Sequence, residues 1–373
     1  MNAVLHNAVL KKESDRDSII AMWLLGVAAM VFIMVIIGGL TRLTESGLSI
    51  VDWRPVTGWL PPLNEEEWLA TFQAYRATPE YLQINRGMTL DEFKGIFWLE
   101  YIHRLWGRLI GVAFVVPFAI FAAKGWIHRR LAPHLVLALL LGGLQGALGW
   151  FMVKSGLVDR PEVSQYRLAA HLGAAILIYG YLLWLGWSLL RPQQGDEIEN
   201  GAAPWWSAVA LTGLVVVTIL IGAFVAGLNA GLVYNTFPLM DGRLIPQGLF
   251  PDTPFYVSFF EDVTTVQFSH RVLAVTTLAA TLAFWLAARR WRLPREARLA
   301  VHALALMAVI QVGLGIATLI WAVPVGLGVA HQGGGVLLFT AALLTVFHLR
   351  PASQQARAEK RLGVGRIIRA GSG

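Results

Sequence analysis

The chain has 373 residues, is 56% hydrophobic and 14% charged, carries a formal net charge of +7, and contains no cysteine. The absence of cysteine excludes disulfides, cysteine-ligated iron–sulfur clusters, covalent c-type haem attachment and thiolate nucleophiles. The positive charge does not point to nucleic acid, because the basic residues fall in short loops between apolar runs, the pattern of membrane topology signals.

Those apolar runs are about 20 residues long, enough helix to cross a hydrocarbon core of ~30 Å. The fold class is therefore an all-α polytopic membrane protein with eight transmembrane helices. Residues 1–18 are polar and of mixed charge and read as a cytoplasmic tail, flexible or interfacial. The first helix covers 19–40 and is too long for a cleaved signal peptide. A long outer loop, 41–94, follows; its tryptophans and Pro-marked turns predict order rather than disorder. Helices are expected at 95–121, 134–153 and 167–190, joined by the basic turn Lys124 to Pro133 and a loop at 154–166. The stretch 191–204 (RPQQGDEIENGAAP) reads as a linker between an N-terminal half, 19–190, and a C-terminal half, 205–348. In the second half helices are expected at 205–228, 263–288, 299–321 and 326–348, before a basic tail at 349–373. With the N-terminus inside, 18 Lys and Arg fall on that side and 9 on the other, with Arg104, Arg108 and Arg271 set within the membrane. Both termini are thus expected in the cytoplasm.

The halves repeat. Ile37-Gly38-Gly39-Leu40 resembles Ile221-Gly222-Ala223-Phe224, and Gln145-Gly146-Ala147-Leu148-Gly149 resembles Gln311-Val312-Gly313-Leu314-Gly315. His103-Arg104 matches His270-Arg271, and His171 in AAHLGAA matches His331 in VAHQGGG. Four helices per half give both repeats the same orientation, so two parallel-duplicated four-helix bundles are expected, unlike the inverted repeats of many transporters.

Of nine histidines, His6 lies in the tail, and His128, His134, His302 and His348 are expected at the inner interface. His103, His171, His270 and His331 instead fall early in helices that begin at the outer face, roughly 6–12 Å below it at 1.5 Å per residue. One intramembrane His can be an interhelical hydrogen-bonding group. Four at equivalent positions of a repeated bundle suit two axial haem pairs, His103 with His171 and His270 with His331. Zinc would need further ligands in each half, and only the first half offers an acid, Glu100. The small residues Gly107, Gly111, Ala169, Ala170, Gly173 and Gly333-Gly334-Gly335 leave room for a flat macrocycle, or serve close helix packing. Arg104, Arg108, Arg167 and Arg271 either pair with haem propionates or snorkel to the interface. Trp53, Trp59, Trp98 and Trp106 fit an interfacial aromatic belt.

Four segments, GGLTRLTESGLSIVDWRPVTGWLPP (38–62), EYIHRLWGR (100–108), FSHR (268–271) and AHQGGG (330–335), resemble the haem A synthase family, over about residues 20–348. The chain is similar to the cysteine-free, mitochondrial and proteobacterial type; other members carry a cysteine pair in the first outer loop. The resemblance implies oxidation of the C8 methyl of haem O to a formyl group through an alcohol and a geminal diol. It also implies a substrate haem in the first half and a haem b in the second, in a bacterial inner membrane. Haem O synthase is then the expected donor, with an unidentified electron acceptor, lipid contact and room for a homo-oligomer; no nucleic-acid partner is expected. One sequence difference accords with unequal halves: Glu100 stands one turn before His103, whereas neutral Gln267 stands before His270. Methyl oxidation releases protons and makes an electron-poor carbon, and a carboxylate can accept the proton or stabilise the charge. The residues alone equally admit a di-haem b-type electron-transfer cytochrome that oxidises quinol; a transporter is a weaker third reading.

Overall fold

A computed structural model describes residues 2–53, 57–156, 163–190 and 203–351. The helices are α1 (Asn2–Leu43), α2 (Glu65–Arg76), α3 (Pro79–Gln83), α4 (Leu90–Ala123), α5 (Ala132–Gly156), α6 (Gln165–Leu190), α7 (Ala203–Gly227), α8 (Ser258–Glu261), α9 (Val263–Ala288), α10 (Arg295–Ile320) and α11 (Val325–His348). Eight of them, all but α2, α3 and α8, are long and apolar enough to cross a membrane. The expected linker 191–204, apart from its last two residues, and the tail beyond residue 351 lie outside the described residues.

Several boundaries differ from expectation, α10 beginning at Arg295 rather than 299 among them, and two of the shifts have evident local reasons. The N-terminal tail is helical from Asn2, because no Gly or Pro interrupts the polar run before Gly26 and the apolar stretch beyond nucleates the helix. The second spanning helix starts at Leu90 rather than 95, fixed by a capping box in which Thr89 and Glu92 each accept the other's backbone N–H.

Helices α1, α4, α5 and α6 close a ring in which α1 packs on α4, α4 on α5, α5 on α6 and α6 on α1. Helices α7, α9, α10 and α11 pack in the same cyclic order. The rings meet where α6 lies on α7 and α1 on α11, so these four form the centre. Burial follows: 56% of the apolar window of α11 and 50% of that of α6 is covered, against 6% for α4 and α5 at the margin. Of the largest fully buried side chains, Tyr75, Phe93 and Met240 lie in or beside the long loops and Ile176 within α6, while Ile20, Leu24, Leu131, Leu135, Leu182, Leu185, Leu304 and Leu349 gather toward the helix ends remote from the long loop. The close-packed core thus lies away from the ends that carry the four histidines.

Among its described residues, the loop 41–94 carries two short helices packed on α4. Helices α2 and α3 lay Phe72, Tyr75 and Tyr81 against Phe93, Phe97 and Tyr101 on the protruding first turns of α4. Asn64 caps α2, whose first turn carries Glu65, Glu66 and Glu67 at the positive end of its dipole.

Candidate functional site

All four singled-out histidines sit at helix–helix contacts, and each faces a glycine. A Cβ built on Gly38 of α1 would lie 3.2 Å from Cε1 of His103 on α4. On Gly149 of α5 it would lie 3.1 Å from Cε1 of His171 on α6. The second half repeats the arrangement: Gly222 of α7 meets His270 at 3.0 Å and Gly315 of α10 meets His331 at 2.8 Å. These glycines lie in the repeated sequence landmarks, where the sequence alone marked them as equivalent without saying what they faced. Of the small residues expected around a macrocycle, Gly173 instead packs on Leu220, Gly333 on Ile36 and Gly107 on Met34, while Gly111 faces open space.

The His270 and His331 rings face each other with centroids 6.3 Å apart and planes at 90°. His171 lies close enough to His103 to interact electrostatically. Nδ1 of His103, His171 and His270 is buried without a hydrogen-bond partner. Nδ1 of His331 instead lies 3.1 Å from Gln311 Nε2, and Nε2 of His171 lies 3.4 Å from Gln145 Nε2. Imidazoles paired across a bundle, with a ring nitrogen left over, could hold haem iron, so these residues fit two haems. Gln145 and Gln311, each one turn before its glycine, donate to the backbone carbonyls of His171 at 3.0 Å and His331 at 2.8 Å. The other described histidines have ordinary partners: His134 with the Tyr181 hydroxyl at 2.8 Å, His302 accepting from the Trp285 indole at 2.8 Å, and His128 3.3 Å from Asp17.

Glu100 is 2% exposed, and both its oxygens are engaged. Oε2 accepts from the Ser49 hydroxyl and the Ile50 N–H, both at 2.7 Å; Oε1 accepts from Arg104 Nε at 2.9 Å and Nη2 at 2.6 Å. Arg104 also donates to the carbonyls of Ile50 at 2.7 Å and Asp52 at 2.9 Å, and lies over the Trp53 ring. The second half has a similar clamp, in which the arginine again donates and only the residue before the histidine changes from acceptor to donor toward the loop. Gln267 donates to Ala230 O at 2.8 Å, and Arg271 donates to Tyr234 O and Thr236 O, both at 2.8 Å. Arg104 and Arg271 thus bind loop carbonyls, a use that the choice between propionate pairing and snorkelling did not include. Arg108 lies over Trp59 and Arg167 over Phe151. Trp106 departs from the belt reading, since its indole donates to Met30 O on α1 at 2.9 Å. Among the described residues no three His, Asp or Glu side chains gather as a cation site.

The sequence reading missed Glu80. It is 3% exposed in α3, with Oε2 buried and unpartnered. Burial, then the nearby charges of Glu100 and Glu45, push its carboxyl up to about 8.

Compared with known proteins, residues 21–343 match the family described as cytochrome oxidase assembly protein. A haem A synthase of Paramagnetospirillum magneticum is 52% identical over 347 residues, covering 91% of this chain and 96% of that one. Those of Nitrosospira multiformis and Parvibaculum lavamentivorans are 51% and 50% identical, covering 89% and 92% of this chain and 93% and 97% of theirs.

Proposed function

The chain belongs to the cytochrome oxidase assembly protein family, and from that membership we propose that it is a haem A synthase, which oxidises the C8 methyl of haem O to a formyl group. It is a multi-pass membrane enzyme with haem O as its substrate. The quinol-oxidising di-haem cytochrome finds no support among these relatives, all three of which carry the synthase's name.

Within that function, His270 and His331 hold a haem b, and His103 with His171 binds the iron of the substrate. The observation that carries the second-half assignment is the 6.3 Å between the His270 and His331 rings. Two imidazoles that far apart on facing helices could hold a haem iron between them. A haem b held there supplies one-electron redox chemistry. The first pair follows by the repeat, each of its rings meeting a glycine in the same way. Glu100 sits one turn toward the outer face from His103, at the edge of the substrate site. Its role there is to hold a fixed negative charge beside the carbon that becomes electron-poor. What supports that role is its full set of four donors, which hold the carboxyl group in one place. Ser49, Ile50 and Arg104 fasten the outer loop against Glu100. Delivery of haem O by a haem O synthase and cytoplasmic termini in a bacterial inner membrane belong to the same proposal; the 18-to-9 basic split supports the orientation.

The test is to purify the protein from cells supplied with haem O and to identify its haems by mass and redox spectrum. Haem A and a haem b are expected, and His270→Ala or His331→Ala removes the haem b signal. Unmodified haem throughout overturns the activity; an unchanged spectrum in both variants overturns the ligand assignment.

A further inference from the structure

Ordinary van der Waals contact at a Cβ begins at about 3.4 Å, yet a methyl group at Gly38, Gly149, Gly222 or Gly315 would meet a histidine ring at 2.8–3.2 Å. In all four cases the nearest atom is Cε1, the carbon between the two ring nitrogens. The pairing is selective. Among the described glycines these four are the ones whose Cβ would meet a histidine, and the rings they meet are His103, His171, His270 and His331. His128, His134, His302 and His348 have no such glycine. Other helical glycines approach neighbours as closely, Gly39 on Gln332, Gly180 on Phe339 and Gly333 on Ile36 among them, but the neighbour is never a histidine, and Gly26 on α1 and Gly213 on α7 face open space. Glycine inside a helix costs about 1 kcal/mol relative to alanine, so its presence at each ring calls for a compensating contact.

We propose that Gly38, Gly149, Gly222 and Gly315 are positioning residues for the iron ligands. Each omits its side chain so that the Cε1 corner of one imidazole rests against the neighbouring helix, which fixes the ring plane and both nitrogens. A methyl group there forces the ring back by a few tenths of an ångström. Metal–ligand distances tolerate about ±0.2 Å, so that displacement is enough to weaken ligation. Gln145 and Gln311 complete the seat on α5 and α10 by holding the histidine backbone from one turn away. On α1 and α7 the glycine acts without such a partner. The strength of the effect follows the contact distance, greatest at Gly315 (2.8 Å) and least at Gly38 (3.2 Å).

This inference rests on the bis-histidine reading above, and the two fail separately. If His270→Ala and His331→Ala leave the haem spectrum unchanged, the ligand reading is wrong and the seats have nothing to position. With ligation established, the full-length protein is compared with Gly315→Ala, Gly222→Ala, Gly149→Ala and Gly38→Ala by haem content, midpoint potential and electron paramagnetic resonance. That resonance reports the angle between axial imidazole planes, which is 90° for His270 and His331. Gly315→Ala and Gly222→Ala are expected to lower affinity for the second-half haem about 10- to 100-fold, the range found when groups orienting metal ligands are disturbed. The haem retained shows an altered potential and resonance, while the first half still holds haem O. Gly149→Ala and Gly38→Ala give the reverse. The site left intact in each variant reports that the protein has folded. Gly26→Ala and Gly213→Ala, on the helices of Gly38 and Gly222, change none of these readings. Unaltered content, potential and resonance in Gly315→Ala and Gly222→Ala overturn the proposal. So does equal loss in the controls, or loss of both haems together in every variant.

Discussion

Replacing Glu100 by Gln separates a fixed charge from the shape that carries it. Glu100 accepts four hydrogen bonds, two from the loop residues Ser49 and Ile50 and two from Arg104. A carboxylate suits four donors because it is all acceptor; an amide brings two donors of its own. In Glu100→Gln one end of the side chain points N–H groups at either Ile50 N–H or the guanidinium. Arg104, whose side chain is 10% exposed, is left with only neutral carbonyl partners. Removing one partner of a buried ion pair costs about 3–5 kcal/mol, and the oxygen that Gln keeps puts this case near the lower figure. About 3 kcal/mol raises the chance that the loop lifts off α4 roughly a hundredfold. Hydrogen exchange across residues 44–53, measured on the purified protein, should accelerate by that order, and haem A should give way to haem O or a partly oxidised product. Ser49→Ala loosens the same loop by losing one hydrogen bond to a charged group, about 1.5–3 kcal/mol, but keeps the carboxylate. If Ser49→Ala makes haem A and Glu100→Gln does not, the charge itself serves the chemistry. Unchanged exchange in Glu100→Gln would refute the clamp, and near-normal haem A from a well-assembled variant would refute the chemical role.

Glu80→Gln should flatten a pH dependence. The folded carboxyl is raised to about 8 from 4.5, so stability is fully present below about 4.5 and falls by about 1.4 kcal/mol per pH unit up to about 8. Limited proteolysis of the outer loop should therefore speed up between pH 5 and 8 in the unaltered protein but not in the variant; identical profiles would count against a buried, neutral Glu80. Arg271→Ala removes the donor to Tyr234 O and Thr236 O and should raise exchange at residues 233–240 while leaving 44–53 protected; equal loosening of both loops would show that the two clamps are not independent. A reporter fused after Gly373 should be active on the cytoplasmic side; activity only outside would reverse the orientation and place the histidines in the inner leaflet.

Hydropathy and the Lys and Arg distribution were sufficient to predict the eight spanning helices, since each must satisfy its own backbone in lipid. The ends were less legible. Residues 2–18 read as a tail because polarity marked the membrane boundary, but the helix has no reason to stop where the lipid does. The family also emerged from local motifs, as the relatives bear out.

What residues alone determined is what covalent neighbours and helical periodicity impose: Glu100, His103 and Arg104 on one turn, Gln267, His270 and Arg271 on another, and four histidines at matching depths. What only the tertiary structure decided is what each side chain meets across helices. Gly38, Gly149, Gly222 and Gly315 were visible as repeated landmarks, but a glycine's use is set by the atom that approaches it, and that atom belongs to another helix. Glu100 gave no sign that Ser49 and Ile50 would take one of its oxygens, because a loop's return onto a helix is fixed by packing at its far end, through Phe72, Tyr75 and Tyr81. Sequence spacing orders groups along one helix; the distance between helices, and so the site, follows from how their surfaces fit.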